Sequence, residues 1–83
     1  MRRNNETEKL KLQKLLRDLR EAAGLRQVDL ATRLKRPQSF VSKYESGEKT
    51  LNFFELREVC RALGVSLVDF VQYYEDVAET VPL

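Results

Sequence analysis

Apolar residues recur every three or four positions along most of the chain, and Gly24, Pro37, Gly47 and Gly64 cut that pattern into short pieces. Such a repeat puts apolar side chains on one face of a helix, and strand-type alternation is absent. The first piece, Glu8 to Ala23, sets Leu12, Leu15, Leu16, Leu19 and Ala23 on one face, with Thr7 or Asn5 as its cap and Gly24 as its stop. The second runs from about Gln27 to Leu34 and turns Leu30, Ala31 and Leu34 inward. Proline disfavours helical geometry in the residue before it and suits a first helical turn, so a third helix starts near Pro37 or Gln38. It carries Val41 and Tyr44 inward and ends at Ser46-Gly47. The fourth, from about Asn52 as cap to Leu63, aligns Phe53, Leu56, Val59, Cys60 and Leu63. Ser66 followed by Asp69 resembles a capping box and opens a fifth, Leu67 to Tyr74, with Leu67, Phe70, Val71 and Tyr74 inward. Residues 1–7 read as a flexible arm, and 75–83 as a tail in which Pro82 ends any helix. The expectation is an all-α, five-helix single domain over residues 1–83.

Composition removes several function classes. With one cysteine and no histidine, the chain can form no internal disulfide, no zinc site of the Cys/His kind and no Ser-His or Cys-His catalytic pair. Cys60 falls on an apolar stripe and reads as core filler. The acid pairs Glu55-Glu58 and Glu75-Asp76 lack a group to tune them and read as solvated faces. No apolar run approaches the roughly 18 residues of a membrane span. These points predict a cytoplasmic protein that is not an enzyme, with no catalytic residues, metal, cofactor, small-molecule ligand or membrane partner. Charge is divided along the chain: residues 1–49 hold thirteen Lys/Arg against seven Asp/Glu, and residues 50–83 hold two against six. The basic part suits a polyanion, with the acidic part turned away.

The second and third helices, joined by the short Lys35-Arg36-Pro37 turn, form a helix-turn-helix pattern. In such a unit the second helix lies in the major groove of DNA with its N-terminal residues near base edges. Amide and hydroxyl side chains suit those edges, and free N–H groups at a helix start suit phosphate. Gln27 stands at the start of the second helix, and Gln38 and Ser39 at the start of the third. Ser42 and Lys43 follow one turn later, on or beside the outward face. Phe40 points outward by spacing; it either touches a thymine methyl or sugar or packs against the second helix.

Leu25-Arg26-Gln27, Leu30-Ala31, Leu34, Gln38-Ser39, Val41-Ser42-Lys43, Glu45 and Gly47 together resemble the phage repressor and Cro-type family, the xenobiotic-response-element (XRE) regulators. Ala62 to Leu67 resembles that family's link between helices four and five, so the likeness spans about residues 12–74. It implies a repressor-like domain that binds double-stranded DNA as a homodimer. It implies that Gln27 contacts phosphate and braces Gln38, that Gln38, Ser39 and Lys43 read bases, and that Lys49 in the following loop lies along the backbone. It also implies a structural ion pair between Arg20 and Glu45. Lys35 stands where the family has glycine and Arg36 where it has a small aliphatic residue. That predicts either a reshaped turn or an added phosphate clamp at Arg36.

Phe54, Val68, Tyr73 and Val77 fall off the core stripes, and a cluster of exposed apolar residues suits a partner surface. A homodimer through the fifth helix and the tail, with Phe54 and Tyr73 near its centre, is the expectation. Arg2 and Arg3 suit an arm along the DNA backbone. The competing reading is an antitoxin-like or adaptor protein that keeps the fold and binds a protein partner instead of DNA.

Overall fold

The computed structural model describes residues 5–80. Five helices follow one another: α1 (Asn5–Ala22), α2 (Gln27–Leu34), α3 (Gln38–Ser46), α4 (Phe53–Leu63) and α5 (Leu67–Thr80). No strand occurs among the described residues. Helix α3 packs on α1 and α2, α4 packs on α2 and α5, and α5 returns to α1, so the chain closes on itself. Leu15 and Leu16 of α1 meet Leu30, Ala31 and Leu34 of α2, Val41 and Tyr44 of α3, Val59, Cys60 and Leu63 of α4 and Phe70 of α5 in one core. Each large apolar side chain so buried contributes about 1.5–3 kcal/mol. Burial pushes the Cys60 thiol up to about 11, which keeps it protonated and inert at neutral pH.

The boundaries follow from the local chemistry. Asn52 Oδ1 accepts from the Glu55 amide at 2.8 Å, and Glu55 Oε1 accepts from the Asn52 amide at 2.9 Å, so α4 opens with a reciprocal capping box. Ser66 Oγ accepts from the Asp69 amide at 3.0 Å and opens α5. Two helices are longer than the sequence expectation. Helix α1 begins at Asn5 rather than Glu8, with Glu6 and Glu8 in its first turn, where negative charge suits the helix dipole. Helix α5 continues past Tyr74 to Thr80, since nothing before Pro82 interrupts it. Tyr74 donates its hydroxyl proton to Glu8, tying α5 to α1. The expected arm at Arg2 and Arg3 lies outside the described residues, as does the side chain of Val77.

The turn between α2 and α3 keeps a compact shape despite its unusual residues. Lys35 takes the left-handed conformation (φ 56°, ψ 41°) at the end of α2, the one non-glycine with positive φ among the described residues. A side chain there costs about 1 kcal/mol relative to glycine. In return the Lys35 and Arg36 amides donate to the Thr32 and Ala31 carbonyls at 3.1 and 3.0 Å, which closes the helix. Gly47 ends α3 at φ 89°, a conformation that favours glycine, and a Cβ there would stand 2.7 Å from Nε2 of Gln13 and force that side chain aside.

Candidate nucleic-acid interface

Helix α3 is held by its inner face and free on its outer one. Val41 and Tyr44 are buried at 0% and 2% exposure. On the opposite side Gln38, Ser39 and Lys43 are exposed and Ser42 is half-buried. The Ser42 hydroxyl donates to the Ser39 carbonyl at 3.3 Å, a bond weak enough to give way to another acceptor. The structure therefore brings Gln38, Ser39, Ser42 and Lys43 together on one solvent-facing strip. An α-helix about 10–12 Å across with such a strip fits the major groove of B-DNA.

One flank of the strip is fixed by a largely buried ion pair. Arg20 of α1 donates through Nε to Glu45 Oε2 at 2.7 Å and through Nη2 to Glu45 Oε1 at 3.0 Å. Its Nη1 reaches the Leu25 carbonyl at 2.8 Å. The side chains are only 10% and 5% exposed, and the hydrogen bonds to Glu45 hold the Arg20 pKa above its ordinary value. This fork ties α1, the α1–α2 loop and α3 into one body. Gln27, half-buried at the start of α2, donates through Nε2 to Glu45 Oε1 at 3.0 Å. Gln27 thus braces Glu45, whose carboxylate offers it a charged acceptor, and its own side-chain oxygen is not used in that bond.

The other flank is built around Phe40. Its ring is half-buried, meets Tyr44 edge-on at 5.7 Å and packs against the core. Phe40 therefore belongs largely to the packing between α3 and its neighbours, not to the open strip. The Arg36 guanidinium lies 4.4 Å from the Phe40 ring centroid, and Lys49 Nζ lies 5.7 Å from it. Each cation also holds an acid of α4: Arg36 Nη2 reaches Glu58 Oε1 at 3.0 Å, and Lys49 Nζ reaches Glu55 Oε2 at 3.2 Å. The turn before α3 and the loop after it are thereby both fastened to α4. Arg36 covers an aromatic ring in place of the small aliphatic residue of the family pattern, so the turn needs no reshaping. The roles of Glu55 and Glu58 are not legible as such in the sequence, although the spacing from Asn52 to Glu55 is a capping-box signal.

Helices α4 and α5 carry exposed apolar residues. Phe54 and Val68 are 77% and 79% exposed, and Tyr73 is 43% exposed. Phe53 and Val71, which their spacing places on the inward stripes, are exposed as well, so the buried faces of α4 and α5 are narrower than the sequence predicts. Among the described residues no group of His, Cys, Asp and Glu could hold a metal ion, and no helix is long and apolar enough to cross a membrane.

Residues 12–70 match the model of a family described as a helix-turn-helix domain. An XRE-family like protein from Pseudomonas syringae pv. tomato str. DC3000 is 39% identical, with 87% of this chain and 88% of that chain covered and a TM-score of 0.80. The chain belongs to the XRE family of helix-turn-helix proteins. A point mutant of the restriction-modification controller protein C.Esp1396I shares the fold at a TM-score of 0.84 and 23% identity, over 90% of this chain and 95% of that one. No curated protein matches the chain by sequence. The family likeness and the five-helix fold expected from the sequence are both present, and the family is one of DNA-binding transcriptional regulators.

Proposed function

We propose that this protein is a sequence-specific repressor that binds a pseudo-palindromic DNA operator as a homodimer, with α3 as the recognition helix. The observation that carries this reading is the strip of Gln38, Ser39, Ser42 and Lys43 on a helix whose opposite side is anchored in the core. Gln38 and Ser39 hydrogen-bond base edges from the first turn of α3, and Lys43 follows one turn on. Gln27, Arg36 and Lys49 contact phosphates around them, and Phe40 supports the helix from the side. Arg36 and Lys49 also carry carboxylate partners on α4.

The homodimer forms through α4 and α5, with Phe54, Val68 and Tyr73 at its centre. Two grooves support this. One sets Phe54 beside Arg33, Arg57 and Arg61, with Glu58 among them; the other sets Val68 and Val71 beside Glu75. The first is net positive and the second carries one acid beside apolar residues, so a two-fold copy offers each its complement. Two copies place two recognition helices about one helical turn apart on the duplex.

The test is binding to duplex DNA as a function of salt. A reader making several phosphate contacts loses affinity steeply as salt rises, with a slope of about 0.9 per contact. An adaptor using the exposed Phe53, Phe54 and Val68 surface alone would bind a protein partner with little salt dependence and leave duplex unbound.

A further inference from the structure

The Arg36–Glu58 pair is the odd member of the interface. Arg36 lies against Phe40, and Phe40 and Lys43 stand three residues apart on α3, hence on adjoining parts of its surface. The guanidinium thus borders the strip that would meet DNA. Glu58 Oε1 takes one of its N–H groups at 3.0 Å, while Arg36 Nε has no hydrogen-bond partner among the described residues. The two side chains are 36% and 42% exposed. A single half-open contact of this kind holds weakly. The neighbouring Lys49–Glu55 contact differs, because Glu55 is 16% exposed and its other oxygen caps α4 at Asn52.

We propose that Glu58 is an internal counter-ion that DNA displaces: on binding, Arg36 remains stacked on Phe40 and exchanges the Glu58 carboxylate for a phosphate oxygen. This rests on the DNA-binding reading above and adds a regulator of affinity to it. A phosphate oxygen suits the same donors at the same distance, and Phe40 keeps the guanidinium at the border of the interface throughout. Glu58 then lowers affinity for every duplex alike, since the exchanged contact carries no base information.

The experiment is fluorescence anisotropy with a random-sequence duplex of about 20 base pairs across a salt series. It compares the wild type, Glu58→Gln, Arg36→Gln and the double variant, each first checked for folding by thermal melting. Glu58→Gln tightens binding about two- to fivefold, the span an exposed ion pair allows. Arg36→Gln lowers the salt slope by about 0.9, and the double variant behaves as Arg36→Gln alone. Equal tightening by Glu58→Gln in the Arg36→Gln background would assign the effect to the long-range field of one carboxylate and overturn the exchange. So would unchanged or weakened binding by Glu58→Gln, or an unaltered slope for Arg36→Gln. Where Glu58→Gln melts early, Glu58→Ala gives the same comparison. Loss of all duplex binding by the wild type at low salt would instead remove the DNA-binding reading itself, a result distinct from binding without coupling.

Discussion

Replacing Glu45 with glutamine probes the joint on which α3 rests. The change keeps shape and removes the charge. Of its two charge-assisted bonds, at 2.7 and 3.0 Å, Arg20 loses one outright and keeps the other only to a neutral amide oxygen, beside the Leu25 carbonyl at 2.8 Å. At 8% exposure water cannot replace what is lost. Breaking a pair buried to this degree costs about 3–5 kcal/mol, most of it the burden of the unpaired charge. In a domain of this size 1 kcal/mol moves Tm by about 4–8 °C, so the lower bound alone lowers it by about 12–24 °C. Thermal and urea unfolding followed by circular dichroism measure the effect. The double variant Arg20→Met/Glu45→Leu removes both charges, and it recovers most of the stability, since apolar replacements of such pairs are often neutral. A loss below about 1 kcal/mol for Glu45→Gln would show that the pair behaves like a surface contact, and the argument from burial would fail.

Other expectations are narrower. Lys35→Gly relieves the left-handed lysine and raises stability by up to about 1 kcal/mol, read as an upward shift of Tm; a fall would show that the Lys35 side chain makes a contribution of its own. Asp29 is held down to about 2 by its hydrogen bonds from Arg26, and the Glu55 pKa is lowered by its bond from the Asn52 amide. Both are depressed carboxylates, so their contribution is complete above the ordinary carboxylate range and fades as pH falls through it, towards about 2 for Asp29; Asp29→Asn flattens that part of a stability-against-pH curve. Phe54→Lys shifts sedimentation at tens of micromolar from dimer to monomer, and unchanged dimers would place the interface elsewhere.

Helix order and core were readable because they depend on local signals. The stops at Gly24, Gly47 and Gly64, the proline at 37 and the three-and-four spacing of Leu30, Ala31, Leu34, Val41 and Tyr44 each act within a few residues. The Arg20–Glu45 pair, 25 residues apart, came from the family resemblance and not from spacing, and the structure shows it as a bidentate contact. What escaped the sequence was the set of long-range polar partners. Glu58 is 22 residues from Arg36, and nothing in the local pattern separates it from a solvated acid. The resemblance sets Gln27 against Gln38, and only the fold places Glu45 within 3.0 Å of it. The spacing of Phe40 fits either core or groove, and the fold sets its ring against Tyr44 and the core, with Arg36 over it. The end of α5 was unreadable for another reason: residues 75–81 contain no breaker before Pro82.

The central claim, that α3 reads base sequence, is tested most directly by selection from random duplexes with the wild type and Gln38→Ala side by side. The account predicts that the wild type enriches two inverted half-sites about one helical turn apart, and that Gln38→Ala loses about 1–3 kcal/mol of discrimination at one or two base pairs within each. Enrichment of no sequence by the wild type, or an identical preference in Gln38→Ala, would contradict it.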